Sequence, residues 1–205
     1  MVLSQILNNK IVAILRGANP ADVLKIAKAL QHGGVSAVEV TFNSQNALQA
    51  IKELVNEIGD KVLIGAGTVL DSKTAEMAID AGAKFIISPN ANRETIEATK
   101  RRGAVSIPGA YTATEVVNAH AYGGDIIKIF PSSSPEYIKI LRGPLSHIAM
   151  MPTGGITLEN ICEFQKAGAA AFGIGTSLVD TKKEITGQYL KQIEENARRF
   201  MKAVS

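Results

Sequence analysis

Short apolar runs and amphipathic stretches alternate along the whole chain. The runs fall near residues 11–15 (IVAIL), 36–41 (SAVEVT), 62–66 (VLIGA), 84–88 (KFIIS), 104–108 (AVSIP), 125–130 (DIIKIF), 148–152 (IAMMP) and 170–174 (AFGIG). They are rich in Val, Ile and Ala and seldom alternate with polar residues, as strands covered on both faces do. The stretches between them carry helical stripes: Val23, Ile26, Ala27 and Leu30, then Leu48, Ile51, Val55 and Ile58, and finally Leu190, Ile193, Ala197, Phe200 and Val204. Asn19-Pro20 and Asp71-Ser72 suit helix starts. Gly33-Gly34, Gly82, Gly103, Gly123-Gly124 and Gly168 suit helix ends.

Eight strand–helix units with no linker, repeat or low-complexity tract predict a single α/β domain over residues 1–205. The expected architecture is a closed (β/α)8 TIM barrel with a short N-terminal helix. An open doubly wound sheet of about five to seven strands is the alternative, and only the strand count separates the two. The 205 residues lie at the short limit for such a barrel, so its loops must be brief.

Composition narrows the function classes. Hydrophobic residues make up 46% and charged residues 20%, ordinary for a globular protein, with a net charge of +3. The densest basic groups, Lys100-Arg101-Arg102 and Arg198-Arg199, lie in helix-like stretches, are short and have no aromatic-rich ribbon beside them, which argues against a nucleic-acid surface. No apolar stretch has the length of a membrane span, and the first residues lack the pattern of a signal peptide, so a cytoplasmic setting is expected. Cys162 is the only cysteine, which excludes an intrachain disulfide, and its place in a helical pattern suggests a small buried or half-buried hydrophobe. His32, His120 and His147 fall at a helix end, within a helix and in a loop, with no metal-binding spacing. No metal or other cofactor is expected.

The candidate chemistry sits at strand ends, where barrels of this kind place it. Lys128 interrupts the apolar run Ile126-Ile127-Lys128-Ile129-Phe130, and Glu39 is the one acid similarly embedded, in Ala37-Val38-Glu39-Val40-Thr41. A buried ammonium loses hydration unless it is paired or gives up its proton. The pair is either a structural ion bridge or a nucleophilic amine with a proton-shuttling carboxyl. If Lys128 points inward, Ile126 and Phe130 do too and form a dry wall. The glycine turns at Gly154-Gly155 and at Gly173–Ser177, which includes Gly175 and Ser177, follow the seventh and eighth strands. Phosphate sites are commonly built there, and the first turn is expected to open a helix directly. Arg16, Asn43, Thr68 and Thr153 are candidate contacts to a substrate carboxylate or hydroxyl. Thr68 has the simpler reading of a helix cap near Asp71.

Seven motifs in order, Leu15-Arg16-Gly17, Glu39-Val40-Thr41, Gly65-Ala66-Gly67-Thr68-Val69, Ile87-Ser88-Pro89, Ile107-Pro108-Gly109, Lys128-Ile129-Phe130-Pro131 and Pro152-Thr153-Gly154-Gly155-Ile156, resemble the 2-keto-3-deoxy-6-phosphogluconate / 4-hydroxy-2-oxoglutarate aldolase family. The resemblance implies a class I aldolase on a (β/α)8 barrel, a homotrimer working without metal on a phosphorylated keto acid and releasing pyruvate. It implies Lys128 as the Schiff-base lysine and Glu39 as general acid/base. Thr68 and Thr153 would be carboxylate ligands beside Arg16, and Gly154, Gly155, Gly175 and Ser177 a phosphate cradle. Gluconate-type members usually carry an arginine where this chain has Asn43. Asn43-Ser44 and Phe130-Pro131-Ser132-Ser133 resemble the 6-phosphogalactonate branch, whereas Thr153 resembles the gluconate one, so both substrates stay open. Two other readings share the glycine turns: an epimerase, isomerase or synthase without imine chemistry, and a barrel that has lost activity. The lack of a well-placed histidine counts against the first, and the intact Lys128 and Glu39 against the second.

Overall fold

The structure, a computed structural model, describes residues 1–205. A first helix, α1 (Val2–Asn9), leads into β1 (Ile11–Leu15). Helix and strand then alternate: α2 (Pro20–His32), β2 (Ala37–Thr41), α3 (Ala47–Ile58), β3 (Leu63–Gly67), α4 (Ser72–Asp80), β4 (Phe85–Ile87), α5 (Arg93–Arg101), β5 (Val105–Ile107), β6 (Gly109–Ala110), α6 (Ala113–Ala121), β7 (Ile127–Ile129), α7 (Pro135–Arg142), β8 (Met150–Pro152), α8 (Ile161–Lys166), β9 (Phe172–Ile174) and α9 (Gly187–Val204). No helix is long and apolar enough to cross a membrane.

Every strand pairing is parallel, as the apolar, non-alternating runs imply. Six strands form a curled half-barrel in the order β5-β4-β3-β2-β1-β9, and three form a second sheet in the order β6-β7-β8. The expected single ring of eight strands is therefore drawn as two sheets. One division has a clear cause. Pro108 has no N–H to give a ladder, so the fifth run breaks into β5, which pairs with β4, and β6, which pairs with β7. At the other seam one parallel bridge, Thr153 to Gly173, and a hydrogen bond from the Ala170 N–H to the Met150 carbonyl link β8 to β9.

The strands bury both faces against different partners. The larger apolar cluster packs the helix-facing side and takes in Ile26, Leu30, Ile51, Ile193 and Phe200, all from the predicted helical stripes. A second cluster of ten residues takes Val12, Ala37, Phe85, Ile87, Val105, Ile107, Ile126, Met151 and Ala171 from strands and strand ends of both sheets, and Ile6 from α1. That cluster is the strands' other face at its N-terminal end, and α1 seals it. Ile6 is fully buried, and a side chain of that size contributes about 1.5–3 kcal/mol when buried.

Helix boundaries follow from local chemistry. The Asn19 side chain accepts the Ala21 N–H ahead of Pro20, and Asp71 accepts the Thr74 N–H at the start of α4. Asp71, and not Thr68, is thus the cap of α4. Cys162 departs from its expected burial: α8 turns Ile161 and Phe164 inward at a three-residue spacing, which leaves Cys162 exposed.

Candidate active site

Inward positions climb the strands two residues at a time and change character on the way. β2 presents Ala37, Glu39 and Thr41. The β7 segment presents Ile126, Lys128 and Phe130. The lower members, Ala37 and Ile126, belong to the dry cluster. One step higher, Glu39 is paired in register with Ile14 and Gly65, and Lys128 with Gly109 and Met151. The two ionisable side chains thus sit just above a sealed apolar floor.

Both are withdrawn from water: Glu39 is 0% exposed and Lys128 is 3% exposed. No group of the chain hydrogen-bonds either oxygen of the Glu39 carboxyl, so the structural ion bridge considered above is not made. The Lys128 ammonium nitrogen lies 4.8 Å from the centre of the Phe130 ring, in line with the wall expected of Ile126 and Phe130. Burial pushes the Glu39 carboxyl above the usual carboxylate range, against the opposing pull of the Lys128 and Arg16 charges. Burial pushes the Lys128 amine below its ordinary value; the Glu39 charge opposes this and Arg16 adds to it. Burial thus works against the charged form of each group, and the charge of each partner works against the effect of burial. Glycine at 67 is required for the arrangement, since a Cβ there would overlap the Glu39 carboxyl.

Above this pair a cavity of about 810 Å³ opens at the C-terminal ends of the strands. Of the candidate site residues, Arg16, Thr153, Gly154, Gly155, Gly175 and Ser177 line it, beside Phe130. Thr153 is 3% exposed and needs glycine at 173, where a Cβ would overlap its side chain. Gly154 and Gly155 both have positive φ, +90° and +71°, a backbone that favours glycine at this part of the wall. Lys128, Glu39, Thr68 and Asn43 are not in the wall. The first two lie beneath it, and Asn43 and Thr68 follow the ends of β2 and β3, Asn43 exposed and Thr68 half-buried.

The anion-site expectation is modified at two points. Neither glycine turn opens a helix directly. After Gly155 the Asn160 side chain bonds the Gly155 carbonyl and the Thr157 N–H, which holds a turn ahead of α8 at Ile161. After Ser177 a strap runs to α9, which starts at Gly187. The Ser177 hydroxyl donates to the Ile156 carbonyl at 2.5 Å, so it ties the two turns together.

Sequence reasoning missed the parts that hold the Arg16 loop and close the wall. The Gly17 N–H donates to Ser44, whose hydroxyl also meets that of Thr41 at 2.9 Å. On the opposite side the Thr181 hydroxyl donates to the Arg16 carbonyl at 2.5 Å. Asp180, Thr181 and Lys182 then line the cavity. The only sequence signal for this strap was the unabsorbed polar run Asp180-Thr181-Lys182-Lys183 after the last strand.

A parallel α/β fold with a dehydrated amine and carboxyl below a glycine-rimmed cavity defines an enzyme of carbonyl chemistry. Comparison with known proteins makes the class specific: the chain is an aldolase, a carbon–carbon lyase. It belongs to the KDPG and KHG aldolase family, whose model matches residues 2–195. It is 38% identical over 196 residues to the 2-dehydro-3-deoxy-6-phosphogalactonate aldolase of Escherichia coli K12, covering 94% of this chain and 93% of that one. It is similar, at 37% identity and a TM-score of 0.89, to a chain of a cube-shaped protein cage designed by fusing symmetric oligomeric domains; 95% of this chain and 71% of that one are covered. The KDPG aldolase of Legionella pneumophila, with pyruvate captured as a covalent carbinolamine, aligns at a TM-score of 0.84 and 27% identity, over 96% of each chain.

Proposed function

We propose that this class I aldolase cleaves a 2-keto-3-deoxy-6-phospho sugar acid to pyruvate and glyceraldehyde 3-phosphate, with 4-hydroxy-2-oxoglutarate as a further substrate yielding pyruvate and glyoxylate. The observation that carries the reading is the placement of Lys128, nearly dry and unpaired, beside an unbonded Glu39 under an open rim. The neutral amine of Lys128 attacks the C2 ketone, and the Glu39 carboxyl gives its proton to the departing hydroxyl, so that loss of water leaves a protonated imine and a Glu39 carboxylate. Glu39, directly or through water, takes the C4 hydroxyl proton, the C3–C4 bond breaks, and its electrons flow into the imine. The aldehyde leaves, the enamine is protonated at C3, and water releases pyruvate.

In this reading Arg16, Thr68, Thr153 and Asn43 receive the carboxylate end, and Gly154, Gly155, Gly175 and Ser177 the phosphate end. Binding energy at the phosphate then fixes the C4 hydroxyl near the carboxyl. Asn43, together with the likeness to the phosphogalactonate enzyme, favours the galactonate epimer. We read the two sheets as one closed (β/α)8 barrel in a single domain. Support comes from the dry cluster, which draws on both sheets, and from the bridge between Thr153 and Gly173. A homotrimer in the cytoplasm is the assembly and setting proposed; the likeness to a domain used as a symmetric oligomer supports the first.

Incubation with pyruvate followed by borohydride reduction tests the central step. The expected result is one pyruvyl adduct on the peptide bearing Lys128. A protein that gains no mass, or gains it on another lysine, ends the reading. Kinetics with the gluconate and galactonate epimers then decide the branch.

A further inference from the structure

The proposed cradle for the phosphate is built of backbone N–H groups and one hydroxyl, and the hydroxyl of Ser177 already donates to Ile156. A phosphate monoester near neutral pH carries close to two negative charges, which such neutral donors leave largely uncompensated. The cavity wall contains two cations, Arg16 and Lys182. The Arg16 charge acts on Glu39 and Lys128, at the reacting end. Lys182 stands on the strap that continues from the Gly175–Ser177 turn and makes no ion pair with any carboxylate of the chain.

The strap is set in place before any ligand arrives. The Thr181 hydroxyl bonds the Arg16 carbonyl, the Asp180 N–H donates to the Tyr189 hydroxyl at 2.8 Å, and the Lys182 N–H donates to Asp180 Oδ1 at 3.1 Å. That last bond turns the one carboxylate of the wall towards the strap's own backbone. The two adjacent lysines part ways: the Lys183 nitrogen lies 5.3 Å from the centre of the Tyr189 ring, while Lys182 borders the cavity.

We propose that Lys182 is a substrate-binding residue that supplies the charge for the phosphate end, and so sets the preference for phosphorylated over unphosphorylated keto acids. This inference rests on the aldolase reading above. It concerns one ammonium on a mobile four-carbon stem, so its contribution is that of an exposed, charge-assisted contact and is weakened by salt.

The test compares wild type with Lys182→Ala, Lys182→Arg and Lys182→Glu on a 2-keto-3-deoxy-6-phospho sugar acid and on the same acid without phosphate. For the phosphorylated substrate, Lys182→Ala is expected to lower kcat/KM about tenfold, mostly through KM. Lys182→Glu should lower it further and Lys182→Arg should restore most of it. Turnover of the unphosphorylated acid and trapping of pyruvate should stay at wild-type levels. The KM for the phosphorylated acid should climb with ionic strength in wild type and much less in Lys182→Ala. Equal losses on both substrates would make Lys182 a prop of the strap, and no loss on either would remove it from the site; each result overturns the proposal. If wild type itself traps no pyruvate, the aldolase reading fails instead, and the two failures are told apart.

Discussion

The two ends of the strand bundle are built from the same strands and do opposite things. At the N-terminal end the inward side chains are Val12, Ala37, Val105, Ile126 and Met151, sealed by Ile6 of α1. Two residues further along the same strands the inward positions are Ile14, Glu39 and Lys128, and beyond them Arg16 and Phe130 open onto the cavity. The contrast teaches why the amine and the carboxyl sit where they do. The sealed end supplies a rigid, low-dielectric floor, and the open end supplies access. A group placed at the boundary is dry enough to lose its charge yet within reach of a substrate.

If the division holds, substitutions at the boundary should remove chemistry and leave stability, and substitutions at the floor should do the reverse. The largest effect is expected for Lys128→Ala, with loss of cleavage by about a thousandfold or more and an unchanged circular dichroism spectrum. Residual turnover near wild type would locate the nucleophile elsewhere. Glu39→Gln should slow cleavage by about a hundredfold or more while still permitting pyruvate to be trapped. The Glu39 charge holds the Lys128 amine up, so its removal should also shift the acid limb of pyruvate trapping to lower pH, read from a trapping profile across pH. Ile6→Ala at the floor should cost about 2–5 kcal/mol in urea unfolding and leave kcat close to wild type. A catalytic collapse there without loss of stability would break the comparison. Arg16→Ala carries the smallest expected shift of the acid limb, beside a raised KM from the lost carboxylate contact. Its charge lowers the Lys128 amine, so the acid limb should move to higher pH, opposite to Glu39→Gln.

Much of this plan was legible because strands and helices announce themselves through burial. The stripe Val23, Ile26, Ala27 and Leu30 is buried along α2 as predicted, and Ile193, Ala197, Phe200 and Val204 likewise along α9. Lys128 and Glu39 stood out for the same reason, being charges in the interior of runs that otherwise carry a charge only at their first residue. The break at Pro108 was visible as a residue, but its effect depends on which neighbours the strand has on either side. The strap from Gly175 to α9 has no period to read. Its course is fixed by bonds from Thr181 to Arg16, 165 positions apart in sequence, and from Asp180 to Tyr189. The exposure of Cys162 was missed because the short helix around it begins later than the sequence suggested, after the turn closed by Asn160.

The missing side chain at position 67 has a consequence for anyone wishing to remodel this enzyme. Since even a methyl group there would collide with the Glu39 carboxyl, the two positions form one unit of variation. A randomised library that diversifies residue 67 alone should return only the parent, and one that shortens residue 39 to make room gives up the acid/base group of the proposed reaction.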